Sequence, residues 1–118
     1  MTRDEVLAAC TGLPGAIEDY PFGDEAAVFK VGGKMFALVM LSGAAGSVNL
    51  KCDPAVALEL RARYETVRPG YHMNKRHWNT VELDGSVEPD ELLGMIEDSY
   101  ELVLATLPKK ERARIVGS

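Results

Sequence analysis

The chain has 118 residues, 47% of them hydrophobic and 26% charged, with a formal net charge of −5. That length suits one domain over residues 1–118, able to bury roughly two-thirds of its unfolded surface, and no apolar run approaches the ~20 residues needed to cross a bilayer. The start, MTRDEVLAAC, lacks the basic-then-apolar order of a secretory signal, so the expected setting is the cytoplasm, where Cys10 and Cys52 stay reduced.

A first helix is expected after Thr2. Thr2 can cap it and Glu5 can return the bond, while Val6, Leu7 and Cys10 form its apolar stripe and Gly12 with Pro14 ends it. In AIEDYPFGDE, Pro21 and Gly23 suggest an irregular approach anchored by Tyr20 and Phe22. VFKVGGKMFALVM is the clearest local signal, with two β-prone runs flanking Gly32-Gly33, whose positive φ angles suit a tight hairpin. The second run is apolar at nearly every position, as in a central strand or one covered on both faces. SVNLK, residues 47–51, reads as a third strand.

Asp53-Pro54 opens a second helix, with a capping acceptor followed by a residue that needs no N–H. Val56, Ala57, Leu60 and Tyr64 form its inward stripe, and Arg61 and Arg63 fall on either side with room to snorkel to solvent. Arg68-Pro69-Gly70 forces a turn. HWNTVEL returns to a strand, closed by Asp84-Gly85. Pro89 starts the last helix, whose stripe is Leu92, Leu93, Ile96, Tyr100, Val103, Leu104 and Leu107, with acids on its other sides and Pro108 as its stop. The expected order is α-β-β-β-α-β-α, an α+β domain with helices packed on an antiparallel sheet.

Charge is unevenly spread. Between Arg61 and Trp78 stand five cations, Arg61, Arg63, Arg68, Lys75 and Arg76, against the single acid Glu65; Lys109, Lys110, Arg112 and Arg114 form a second basic run near the end. Exposed charges are screened within about 8–10 Å, so a ligand feels mainly the face it meets. RPGYHMNKRHW, residues 68–78, also holds both histidines and the lone tryptophan. The spacing of His72 and His77, with no Cys-x-x-Cys nearby, gives poor grounds for zinc, and no metal or cofactor is expected.

Together, NLKCDP and RPGYHMNKRHWNTVELDG resemble the MmcQ/YjbR family, as do VFKVGGKMFALV and DSYELV. The resemblance implies a small α+β domain similar in outline to secretion chaperones and frataxin-like folds. It also implies DNA binding through a double wing of hairpins beside helices. The motif positions it carries over are Lys51, Pro69, His72, Asn74, Lys75, His77, Trp78 and Thr80.

Three readings follow. In the first, DNA phosphates meet Lys75, Arg76 and Arg68, with Arg61 and Arg63 widening the patch, Asn74 bonding a base edge or phosphate and Tyr71 stacking on a base or sugar. Lys51, His72, His77 and Trp78 complete this surface, and the hairpin carrying Lys30 and Lys34 is its wing. In the second, the sheet face or an edge strand takes a protein partner or a second copy of the chain. The third is an enzyme built on His72, His77, Lys75 and Asn74, but no nucleophile elbow, phosphate loop or carboxylate pair accompanies them, and no catalytic activity is expected. A structural reading stands beside all three: Asn74 can bond the chain two residues on, the histidines can do likewise, and Trp78 can cap the edge of the core.

Overall fold

A computed structural model describes residues 1–70 and 73–117. In chain order the elements are α1 (Arg3–Thr11), β1 (Ile17–Asp19), β2 (Ala26–Val31), β3 (Lys34–Met40), β4 (Ser47–Lys51), α2 (Pro54–Arg63), β5 (Val67–Pro69), β6 (Trp78–Glu82), α3 (Pro89–Leu104) and α4 (Lys109–Val116). The strands form one sheet in the order β1-β2-β3-β4-β6-β5, and every neighbouring pair is antiparallel. The architecture is the expected α+β layer of helices on an antiparallel sheet. The additions are two three-residue edge strands, β1 and β5, and the short helix α4.

Several local signals act as read. Thr2 and Glu5 form the capping box of α1, and Asp53 Oδ1 accepts from the Ala55 amide at 3.0 Å to cap α2. Gly32 and Gly33 take φ of 58° and 81° at the β2–β3 turn, a region that costs residues with a Cβ about 1–2 kcal/mol. Other readings need correction. The α2 stripe is narrower than expected, because Val56 is 43% exposed and only Ala57 is buried in that helix, with Leu60 and Tyr64 packed at its margin. The final helix breaks at Leu104 rather than running to Pro108. Pro108 then stands as the N-cap of α4, where its fixed φ and missing N–H do no harm.

Helices α1, α2 and α3 all cover the same side of the sheet. Phe29, Phe36, Leu92 and Ile96 lie at the centre of this core, and Phe36 meets the Tyr100 ring edge-on at 5.4 Å. The register slips between Phe29 and Lys30, so Phe36 is an extra residue on β3. Its carbonyl accepts from the Ser99 hydroxyl at 2.6 Å, and Ser99 Oγ in turn accepts from the Lys51 amide at 2.8 Å. A buried serine on α3 thus satisfies the backbone groups that this bulge would otherwise leave unpaired.

Candidate nucleic-acid interface and the open sheet face

Strand register fixes which residues share an end of the sheet. The β2–β3 turn, the last residue of β4 (Lys51) and the first of β6 (Trp78, paired with Lys51) all stand at one end. The end of α3 reaches the same place, where Lys34 Nζ donates to Thr106 Oγ1 at 3.1 Å. A Cβ on Gly32 would lie 2.5 Å from a Leu107 methyl, so the hairpin tip is docked on this turn instead of projecting freely as a wing. Helix α4, beginning Lys109-Lys110, follows directly. Lys34, Lys51, the 73–77 loop with Lys75 and Arg76, and the α4 lysines therefore collect from distant parts of the chain at one pole of the molecule.

The loop before β6 is held shut at its base. Gly70 N–H donates to Trp78 O at 2.8 Å, and a Cβ at Gly70 would sit 2.8 Å from Trp78 Cβ, so glycine is required for the close approach. The Asn74 carbonyl accepts from the His77 and Trp78 amides at 3.1 and 2.9 Å. The Asn74 side chain accepts from the Arg76 amide at 3.0 Å, the local bond its residue type favours. His77 is half-buried and its carbonyl accepts from the Cys52 amide at 2.7 Å. Trp78 is also half-buried. Tyr71 and His72 lie outside the described residues.

The arginines depart from the sequence reading. Arg61 does not snorkel to solvent. Its Nε donates to Asn79 Oδ1 at 2.7 Å and its terminal nitrogen donates to the carbonyls of Trp78, at 3.3 Å, and Lys75. Asn79, 2% exposed, donates in turn to Ala57 O at 3.4 Å. Together Arg61 and Asn79 clamp α2 to β6 and to the loop, a role invisible in the helical wheel because the acceptors lie 14–18 residues away in sequence. Arg63 pairs with Glu91 at 3.0 Å and lies over the Tyr64 ring at 5.2 Å. Arg68 pairs with Glu82, and Lys30 with Asp19 at 3.0 Å. The Lys30 bond, followed by one from the Tyr20 amide, holds the Asp19 carboxyl below its ordinary value. Among the described residues Lys51, Lys75, Arg76, Lys109 and Lys110 form no ion pair.

Both cysteines are free thiols. Burial pushes Cys10 up to about 12; burial, then the carboxylates of Asp53 and Asp98, raise Cys52 as well, so neither is poised as a thiolate nucleophile. Among the described residues no group of three His, Cys, Asp or Glu side chains is arranged to hold a metal ion, and no helix is long and apolar enough to cross a membrane.

The sequence reading offered a sheet face to a protein partner without naming its residues, and the face away from the helices is the open one. Strand alternation directs Val28, Leu38, Met40, Ser47, Asn49 and Thr80 to it, and no helix covers them. Phe22, 68% exposed, comes over from the β1–β2 loop, and Met73 comes from the loop before β6. Phe22, Met73, Leu38, Met40, Ser47 and Asn49, with Glu25, Ala26 and Met35, line a groove of about 580 Å³. The sequence signal was present in the unbroken apolar run of β3, which serves both faces although only one is capped by helices.

The YjbR family model matches residues 11–102, which takes in the whole sheet, the 68–78 motif and most of α3. The chain belongs to the YjbR family. YjbR of Escherichia coli K12 is 35% identical over 116 residues, 98% of each chain, and YbdF of Escherichia coli O157:H7 is 40% identical over 96 residues, 81% of this chain and 79% of that one. A crystal structure of a Deinococcus radiodurans protein with the DUF419 domain superposes with a TM-score of 0.92 at 39% identity, over 98% of this chain and 88% of that one. A Pseudomonas syringae crystal structure gives 0.76 at 29% identity, over 87% and 99%. The YjbR match ends before α4, so the lysines at the start of that helix lie beyond the matched region.

Proposed function

We propose that this YjbR-family chain is a non-catalytic DNA-binding domain of the cytoplasm that meets phosphate with one pole of its sheet. The observation that carries this reading is the convergence of Lys51, Lys75, Arg76, Lys109 and Lys110, from three separate segments, at one end of the molecule without an acidic partner among the described residues. Strands β3 and β6 flank β4, so the hairpin tip and the loop before β6 stand roughly 10 Å apart, comparable to the ~12 Å width of a major groove.

The contact set differs from the one expected from sequence. Arg61 is consumed by the clamp on β6 and is a positioning residue for the loop. Arg63 pairs with Glu91 on the far side of α2 and stands apart from the basic pole. Arg68 is held by Glu82 in an exposed pair; such pairs contribute only about 0–1 kcal/mol, so a phosphate can compete for it. Lys34 contributes charge from a hairpin already fixed to the end of α3. Asn74 serves as the turn that presents Lys75 and Arg76, and Trp78 and His77 form the base of that turn.

Fluorescence anisotropy at low salt, with duplex and single-stranded oligonucleotides, tests the reading. Binding should weaken with salt, the logarithmic slope being about −0.9 per phosphate contact on duplex DNA. Lys75→Glu/Arg76→Glu should lower affinity and make the slope shallower by about 2, with unchanged far-UV circular dichroism. Absence of salt-dependent binding to either form of DNA, or binding untouched by the double reversal, defeats it.

A further inference from the structure

We propose that the cleft between the start of α2 and the second half of α3 receives helix α4 of a second copy of the chain, so that two copies pair about a two-fold axis. The cleft, about 320 Å³, is lined by the exposed apolar side chains of Val56 and Leu102 and by the carboxylates of Asp53, Asp98 and Glu101. This pairing uses the helical side of the molecule and does not rest on DNA binding.

Both helices leave the cleft unfilled. Val56 belongs to the stripe expected to face inward on α2, yet only Ala57 of that helix is buried. On α3, Glu91 marks the side that faces α2 through its contacts with Arg63 and Tyr64. Gly94, Asp98 and Ala105 follow on that side at helical spacing. A Cβ added at Gly94 would meet no described atom within 4 Å, although glycine is the least favourable helix residue after proline. Asp53, Asp98 and Glu101 form no ion pair among the described residues.

Charge selects the occupant. Helix α4 turns its Ile115 side to the rest of the chain, where a Cβ on Gly15 would fall 2.7 Å from Ile115 Cγ2. That leaves Lys109, Lys110 and Val116 exposed, cations beside an apolar side chain, the counterpart of the acids beside Val56 and Leu102. Ala105 lines the cleft and Lys109 opens α4 shortly after it, so the acidic and basic halves adjoin. A two-fold axis between adjoining halves of opposite sign sets each on its complement, the condition for an isologous pair. At ~0.1 M salt the Debye length is about 10 Å, so the contacting faces outweigh the net charge of −5 on each copy. Pairing occupies Lys109 and Lys110 and leaves Lys51, Lys75 and Arg76 for phosphate.

Analytical ultracentrifugation of the full chain, at ~0.1 M salt and without DNA, reads the pairing. The wild type is expected to pass from one copy to two as concentration rises. Asp98→Lys/Glu101→Lys, and separately Lys109→Glu/Lys110→Glu, should each weaken self-association about tenfold or more, because several exposed pairs are reversed at once. Each variant sets like charge against like in its own pair. An equimolar mixture of the two restores opposite signs at both contacts and should pair as tightly as wild type. Cys52 lines the cleft and gives a second readout. Its reaction with a neutral thiol reagent should slow as the wild type pairs, Cys10 being fully buried. With DNA absent from the experiment, a negative result would not count against nucleic-acid binding. The proposal is overturned if the wild type stays a single copy at high concentration or grows past two copies. It is also overturned if either reversal leaves pairing unchanged, if the mixed variants fail to pair, or if Cys52 keeps its rate while the copies associate.

Discussion

Arg61 and Arg63 differ by two positions on one helix, yet the fold puts them to opposite uses. Arg61 aims a planar fork of donors at three fixed oxygens, those of Asn79, Lys75 and Trp78, and no lysine reproduces that geometry. Arg61→Ala strips a donor from the Asn79 carbonyl in a side chain that is 2% exposed, and an unsatisfied buried acceptor costs about 1–3 kcal/mol. Chemical denaturation should show a loss of that size, with Arg61→Lys recovering only part of it. Arg63→Ala breaks an exposed pair with Glu91 and should cost less than about 1 kcal/mol. Equal losses for the two would contradict the clamp. Sequence reading could place both arginines beside the α2 stripe, but it could not rank them. The decisive acceptors are backbone carbonyls of a loop whose path no local pattern encodes. Asn74 shows the converse: its bond to the Arg76 amide was legible because it depends only on its own residue type and its neighbours.

The same division holds for whole elements. Helices α1, α2 and α3 and the β2–β3 hairpin were readable because caps, glycines and apolar periods are local. Strands β1 and β5 were not, since three residues cannot display an alternation and Ile17, in β1, is 65% exposed; only pairing with a neighbour makes them strands. The sheet face was offered to a partner, but the residues of its groove went unread for a related reason. An apolar residue on β3 looks the same whether helices or loops cover it, and the number of helical layers is a tertiary property. The hairpin tip lies between these cases. Its turn was legible, but its anchorage was not, because Leu107 lies far along the chain. Alanine at Gly32 or Gly33 meets similar positive-φ strain. At Gly32 alone the added Cβ also falls within 2.8 Å of both Leu107 methyl carbons, an overpacking that costs typically ~1–3 kcal/mol. Gly32→Ala should therefore destabilise more than Gly33→Ala by about that amount. Combining it with Leu107→Ala should give less than the sum of the two single effects, since the clash disappears. Strict additivity would mean that the hairpin tip and the end of α3 are not in contact.

At the scale of the molecule, a chain of net charge −5 presents unneutralised cations at one pole. The far end of the sheet carries Glu25 and Glu82, and exposed acids line the outer side of α3. Like charges held together repel, and they persist in a compact state only where that cost is small or a ligand offsets it. A surface shaped for a polyanion therefore makes affinity and stability respond in opposite directions to the same substitution. Lys75→Glu/Arg76→Glu should weaken DNA binding while leaving folding stability within about 0.5 kcal/mol of wild type, the range of ordinary surface changes. Any gain should appear at low ionic strength, where the Debye length reaches ~30 Å at 0.01 M, and fade near 1 M, where it is only ~3 Å. Urea melts of both proteins across that salt range make the measurement. A salt-independent loss above about 1 kcal/mol would place Lys75 and Arg76 among the groups that hold the loop together. They would then join Arg61 as structure, and the basic pole would shrink to Lys51 and the lysines that open α4.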